Sequence, residues 1–150
     1  MNSLPIGVFD SGIGGLTVVN AIQRHLPNED IIYVGDTARV PYGSRSPGTV
    51  IEYATQIASY LDNAGVKEIL VACNTASAVA LETVASQTSL PVSGVIVPGA
   101  EAAANLTTTG PIGVIATRAT ITSNAYRNAL RKTAPATEVV SVATPLLVPL

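Results

Sequence analysis

Ile6-Gly-Val-Phe-Asp-Ser-Gly-Ile-Gly-Gly-Leu-Thr17 decides the fold. An uncharged run leads into Asp10 and a glycine-rich turn follows. Leu16, Val19, Ile22 and Leu26 then recur at helical spacing until Pro27 stops them. An apolar run that is continuous rather than alternating reads as a strand covered on both faces. The same kind of run returns at 31–34, 69–72, 92–97, 112–116 and 139–143. Helical spacing fills the gaps. Val50, Ala54, Ile57 and Leu61 mark a helix opened by a Thr49-x-x-Glu52 capping box and closed by Gly65. Val79, Leu81 and Val84 mark another, followed by shorter ones at 100–106 and 126–130. Strand alternating with helix predicts an α/β fold: a doubly wound, mostly parallel sheet with right-handed crossovers.

The length of 150 residues suits one ordinary domain or one large lobe. Charged residues make up 12% and hydrophobic ones 47%, whereas charged residues usually approach about a quarter. Either both sheet faces are covered or some surface is reserved for another chain segment. A net charge of −2 provides no basic field for nucleic acid or anionic lipid. The single cysteine excludes an internal disulfide and a thiolate zinc cluster, so a reducing compartment is the default. Met1-Asn-Ser-Leu-Pro5 reads as no secretion signal, and no apolar run approaches the roughly 20 residues that span a bilayer. A soluble, cytoplasmic protein is expected. Val97-Pro98-Gly99 reads as a hinge dividing a first lobe, 1–97, from a second, 98–150. The apolar end Thr144-Pro-Leu-Leu-Val-Pro-Leu150 suggests a polypeptide cut short of its natural terminus.

In open parallel sheets, ligands bind beyond the carboxyl ends of the strands. Those ends carry Asp10-Ser11-Gly12, then Asp36 with the Pro41-Tyr42-Gly43-Ser44 loop, then Cys73-Asn74-Thr75, Pro98-Gly99, and Thr117 through Thr120. The predicted pocket is small and polar, with few cations; an anion would rest largely on backbone N–H groups and hydroxyls. Each residue also has a structural explanation. Cys73 after a buried strand is either an inert small hydrophobe or, before two polar residues and a helix start, a thiol placed to ionise. Asp36 reads as a turn cap, Pro41-Tyr42-Gly43 as a β-turn, and Thr117 and Thr120 as helix caps. The 10–15 turn lacks the spacing of a nucleotide-binding glycine motif.

Together these strings resemble the glutamate racemases, the cofactor-independent aspartate/glutamate racemase family. The resemblance rests on residues 6–17, on Tyr33-Val-Gly-Asp-Thr-Ala-Arg-Val-Pro-Tyr-Gly43, on Val71-Ala-Cys-Asn-Thr-Ala-Ser77, and on Pro98-Gly99, Gly113–Thr120 and 145–150. It implies the first lobe of a two-lobe racemase plus the start of the second, and an isomerase interconverting L- and D-glutamate for peptidoglycan synthesis. On that resemblance Cys73 is one of two catalytic thiols and Asp10 assists it. Ser11, Pro41, Tyr42, Gly43, Ser44, Asn74, Thr75, Thr117 and Thr120 contact the substrate, and Asp36 contributes nearby. No metal or cofactor is implied, glutamate is the small-molecule partner, and a homodimer is expected. The family's second thiol lies in a Cys-Thr-His string beyond position 150, so this chain alone is expected to be inactive. Thr144 and Leu147 stand where many relatives have cysteine and phenylalanine. The rival readings are an aspartate or hydantoin racemase, a non-catalytic dicarboxylate-binding module, and a sugar-kinase-like phosphate-binding fold. Helical spacing over 16–26 argues against the last.

Overall fold

The structure, a computed structural model, describes residues 4–106 and 109–148. The Met1–Ser3 start and the Pro149-Leu150 end lie outside the described residues. Strand β1 (Ile6–Asp10) is buried along its whole length. It pairs in parallel with β2 (Ile31–Gly35) on one side and β3 (Glu68–Val71) on the other, and β4 (Val92–Gly94) extends the sheet beyond β3. A second parallel pair is formed by β5 (Ile112–Ala116) and β6 (Val139–Ala143). The fold is α/β with parallel sheets.

The two-residue period of a strand divides the core. Ile6, Val8 and Ala72 turn to one face, where α1 (Leu16–His25) covers them with Val18, Val19 and Ile22. Phe9, Ile69 and Val71 turn to the other. There α2 (Pro47–Asn63) supplies Val50, Ala54, Ile57 and Leu61, while α3 (Asn74–Val79) and α4 (Leu81–Ser86) supply Ala76 and Val84. Around β5–β6, α5 (Ile96–Leu106) and α7 (Ala125–Thr133) bury Ala100 and Leu130 against Ile112 and Val114. The short α6 (Arg118–Thr122) begins directly after β5.

Strand order positions the site. From β1 the chain moves outward to β2, then returns through α2 to β3 on the opposite side of β1. Their outgoing connections therefore leave in opposite directions. A crevice opens where the carboxyl ends of β1 and β3 lie side by side, the position at which such sheets bind ligands.

Several local expectations change. Helix α2 is capped one turn earlier than the Thr49 box predicts: Ser46 Oγ accepts from the Thr49 N–H at 3.2 Å, and Pro47 takes the first helical position. Glu52 instead accepts from Gln56 Nε2 at 3.3 Å. Gly65 does close that helix, at φ +78. Leu16 and Leu26 are exposed, so the packed stripe of α1 is Val18, Val19 and Ile22. Strand β4 stops at Gly94 because Ser77 Oγ takes the Val95 N–H at 3.3 Å. The Val97-Pro98-Gly99 step, expected as a hinge, lies in the first turn of α5, where proline's missing N–H costs no helical bond. The predicted helix around Leu81 is two helices that meet at Ala80.

Urea unfolding checks this packing. Phe9→Ala, which empties a fully buried site, is expected to cost about 3–5 kcal/mol. Ser46→Ala is expected to cost about 1 kcal/mol, and Glu52→Ala to stay within about 0.5 kcal/mol of the parent. The reverse order for the last two would return the cap to Thr49.

Candidate active site

Cys73 follows β3 after the single residue Ala72 and occupies the N-cap of α3, its Sγ accepting from the Ala76 N–H at 3.4 Å. Its own S–H donates to Ser11 Oγ at 3.3 Å, across the crevice from the end of β1. Asp10, the last residue of β1, is buried and accepts from the Gly15 N–H through Oδ2 at 2.9 Å. Only glycine fits at 15, since a Cβ there would lie 2.7 Å from the Asp10 Cβ. The Tyr33 hydroxyl donates to the Gly12 carbonyl at 3.1 Å and pins the same turn. The glycine-rich stretch is thus a clamp that holds Asp10 and Ser11 beside the thiol.

The electrostatics oppose one expectation. Cys73 is only 5% exposed. Burial pushes its thiol above the ordinary value; the Ser11 hydroxyl and the Ala76 N–H pull it down, while the Asp10 carboxylate adds to the rise. Desolvation wins over hydrogen bonding, so the thiol placed to ionise is held as S–H at neutral pH. The sulfur also faces Ser11 across the crevice and senses the Asp10 charge.

Asp36 and Tyr42 form a supporting group. The Tyr42 hydroxyl donates to Asp36 Oδ2, Arg39 Nε pairs with the same oxygen at 2.7 Å, and the Arg39 guanidinium stacks 4.2 Å from the Tyr53 ring centroid. Burial and the Asp36 carboxylate both push the Tyr42 phenol upward. Its ring is core, packed at 5.6 Å from the Tyr53 ring. This group holds the 3-10 turn Tyr42–Ser44 in place. Gly43 meets Thr117 so closely that a Cβ would overlap the threonine side chain.

Thr117 is the meeting point. Its Oγ1 lies 2.9 Å from Thr75 Oγ1 and 3.0 Å from Thr120 Oγ1, and it caps α6 by accepting from the Thr120 N–H. Helix capping and the lining of both neighbouring cavities coincide in this one side chain. Two cavities flank it. One of about 590 Å³ is lined by Pro41, Gly43, Ser44 and Thr117; the other, of about 400 Å³, by Asn74, Thr117, Thr120 and Tyr126. Cys73, Asp10, Ser11, Asp36, Tyr42 and Thr75 line neither of these two cavities. Sequence reading missed two residues, Tyr33 and Tyr126; the latter donates to Asn74 Oδ1 at 2.6 Å. A tyrosine in the middle of an otherwise aliphatic strand is a usable signal for Tyr33. Nothing local pointed to Tyr126, whose partner lies far away in sequence. Among the described residues no group of three His, Cys, Asp or Glu side chains is placed to hold a metal ion, and no helix is long and apolar enough to cross a membrane.

Residues 6–145 match the model of the Asp/Glu/hydantoin racemase family, and the chain belongs to that family. It is 56% identical over 145 residues to a glutamate racemase of Geobacter metallireducens, covering 97% of this chain and 54% of the relative. It is 49% identical to a glutamate racemase of Streptococcus uberis over 100% of this chain and 57% of the relative. The fold superposes on glutamate racemase from Aquifex pyrophilus with a TM-score of 0.91 at 48% identity, covering 98% of this chain and 57% of that one. A Francisella tularensis glutamate racemase in complex with D-glutamate also gives a TM-score of 0.91 at 48% identity, over 99% of this chain and 56% of that one. The chain spans about half the length of the curated relatives it matches.

A thiol buried beside a hydroxyl and a carboxylate should titrate in a set direction. Iodoacetamide alkylation of Cys73 is expected to rise with pH through a midpoint above that of a free thiol. Ser11→Ala should raise the midpoint further by removing a stabilising hydrogen bond, and Asp10→Asn should lower it by removing a like charge. A Ser11→Ala midpoint below the parent's would contradict this account.

Proposed function

We propose that this chain supplies the first half of a glutamate racemase site, an isomerase centre that moves the α-proton of glutamate without a cofactor. The observation that carries the reading is the Cys73 S–H on Ser11 Oγ at 3.3 Å, beside Asp10, at the crevice between β1 and β3. Relatives of 47–56% identity that bear the name glutamate racemase support it. So does the D-glutamate complex of the Francisella tularensis protein.

Removing an α-proton without an electron sink leaves a carbanion that must be stabilised by aimed dipoles and exclusion of water. Asp10, as the assisting group, first takes the Cys73 proton, and the thiolate so formed takes the Cα proton: the S–H bond forms as the Cα–H bond breaks, and the electron pair stays on Cα. A thiol on the opposite face then gives its proton to that carbon and is left as thiolate. Burial, which raises the Cys73 pKa, makes the thiolate a stronger base once formed, and Asp10 stands next to it as the assisting group. In this reading Ser11, the Pro41–Ser44 loop, Asn74, Thr75, Thr117 and Thr120 hold the carboxylates and ammonium, and Asp36 acts by anchoring Tyr42. The 150 residues hold one cysteine, and inversion needs an acid/base group on each face, so these residues alone turn over poorly or not at all. The reading extends to D-glutamate supply for peptidoglycan in the cytoplasm. It also extends to a homodimer, supported by exposed apolar side chains such as Ile13 and Ile115.

Deuterium wash-in at Cα of L- and D-glutamate tests this on the 150-residue chain. Slow incorporation without net interconversion is expected, lost in Cys73→Ser while glutamate affinity is kept. Sustained interconversion by these residues would refute the need for a second thiol. Glutamate binding with no incorporation that depends on Cys73 would favour a dicarboxylate-binding module.

A further inference from the structure

The bond between Tyr126 and Asn74 crosses from one sheet system to the other. Asn74 opens α3 beside the four-stranded sheet; Tyr126 lies in α7, which packs with α5 near β5–β6. The Tyr126 Oη–Asn74 Oδ1 distance is 2.6 Å. The tyrosine ring is half-buried and packs against the small cluster of Ala100, Ile112, Val114 and Leu130. Gly99 leaves the hydroxyl its room: a Cβ at that position would stand 3.3 Å from the Tyr126 hydroxyl oxygen, tight enough to press on it. The packed ring therefore holds the hydroxyl against one atom, Asn74 Oδ1. Asn74 itself is exposed and lines the cavity of about 400 Å³ together with Thr117 and Thr120.

A primary amide is planar and carries its acceptor oxygen and its donor NH2 at opposite ends within that plane. Unconstrained, an exposed asparagine turns over freely and offers a ligand either one. We propose that Tyr126 is a positioning residue: by donating to Asn74 Oδ1 it occupies the acceptor end and leaves the amide N–H end to be offered to a bound carboxylate. The proposal rests on the glutamate reading above and deepens it, since it makes this corner selective for an anionic group over an ammonium. Burial keeps the phenol protonated, so Tyr126 remains a donor across the neutral range. The selectivity depends on how the two sheet systems sit together, because donor and acceptor belong to different ones. Fixing the amide before binding removes an ordering cost that would otherwise be met on association.

The test is L-glutamate binding, followed by NMR titration, to the 150-residue chain and to three variants: Tyr126→Phe, Asn74→Ala and the double variant. Tyr126→Phe is expected to weaken binding about tenfold, the scale of one well-placed hydrogen bond to a charged group. On the Asn74→Ala background the same change is expected to add nothing, because Tyr126 acts only through that amide. A tyrosine that merely props up the fold would cost the same on both backgrounds. Unchanged affinity in Tyr126→Phe, or an equal loss on both backgrounds, overturns the proposal while the glutamate reading stands. Failure of the parent chain to bind L-glutamate overturns both.

Discussion

The hydrogen bond between Thr75 Oγ1 and Thr117 Oγ1, 2.9 Å long, is the constraint on which the site depends. Thr75 follows the thiol by two residues, and Thr117 follows β5. Thr75 and Thr120 are 4% and 2% exposed, so neither has water to fall back on. A buried hydroxyl left without a partner costs about 1–3 kcal/mol, and each of these three finds its partner in the others. That penalty aligns the four-stranded sheet with the β5–β6 pair. The Gly43 turn, seated on Thr117 with no room for a side chain, is drawn into the same alignment.

Around that fixed point, burial and hydrogen bonding compete at the thiol. Placement at a helix start and beside Ser11 favours the thiolate, whereas a nearly sealed environment and the Asp10 carboxylate disfavour it. Desolvation is the larger effect, and the resting sulfur keeps its proton. The outcome suits the proposed chemistry, in which a base able to attack a weakly acidic carbon must itself bind protons firmly. Asp36 shows the opposite arrangement: its charge is spent on Tyr42 and Arg39, so its contribution is to the shape of the 36–46 loop.

Much of this was legible in the chain. The continuous apolar runs at 6–9, 31–34, 69–72, 112–116 and 139–143 mark real strands; β1 is covered on both faces, as such a run implies, whereas β5 and β6 turn Ile115, Val140 and Val142 to an exposed face, so there the expectation of two covered faces fails. The run at 92–97 was misleading: its last residues are helical, since Ser77 intercepts the Val95 N–H that would have continued the strand. The stripe on α1 was displaced for a similar reason. Spacing alone names Leu16 and Leu26, but Val18 packs on the sheet while Leu16, the first residue of the helix, and Leu26, just past its end, stay exposed. The site residues lie at the strand ends because a parallel sheet gathers its outgoing loops at one edge. Ser11 meets Cys73 there, and Asp10 lies near enough for its charge to act on the thiol. Asn74, Thr117 and Thr120 line one cavity, and Pro41, Gly43 and Ser44 another.

Local chemistry in the sequence determined the strands, the helices, the turns that need glycine and the set of polar residues at the carboxyl edge. Each follows from neighbours a few positions apart, where periodicity and backbone sterics act directly. Tertiary structure alone decided which partners those polar residues take. The proton on Cys73 depends on how completely its surroundings exclude water, and the orientation of Asn74 depends on a tyrosine delivered by another helix. Such pairings join residues tens of positions apart, and no periodic pattern encodes a contact that exists only after two packed units have come together.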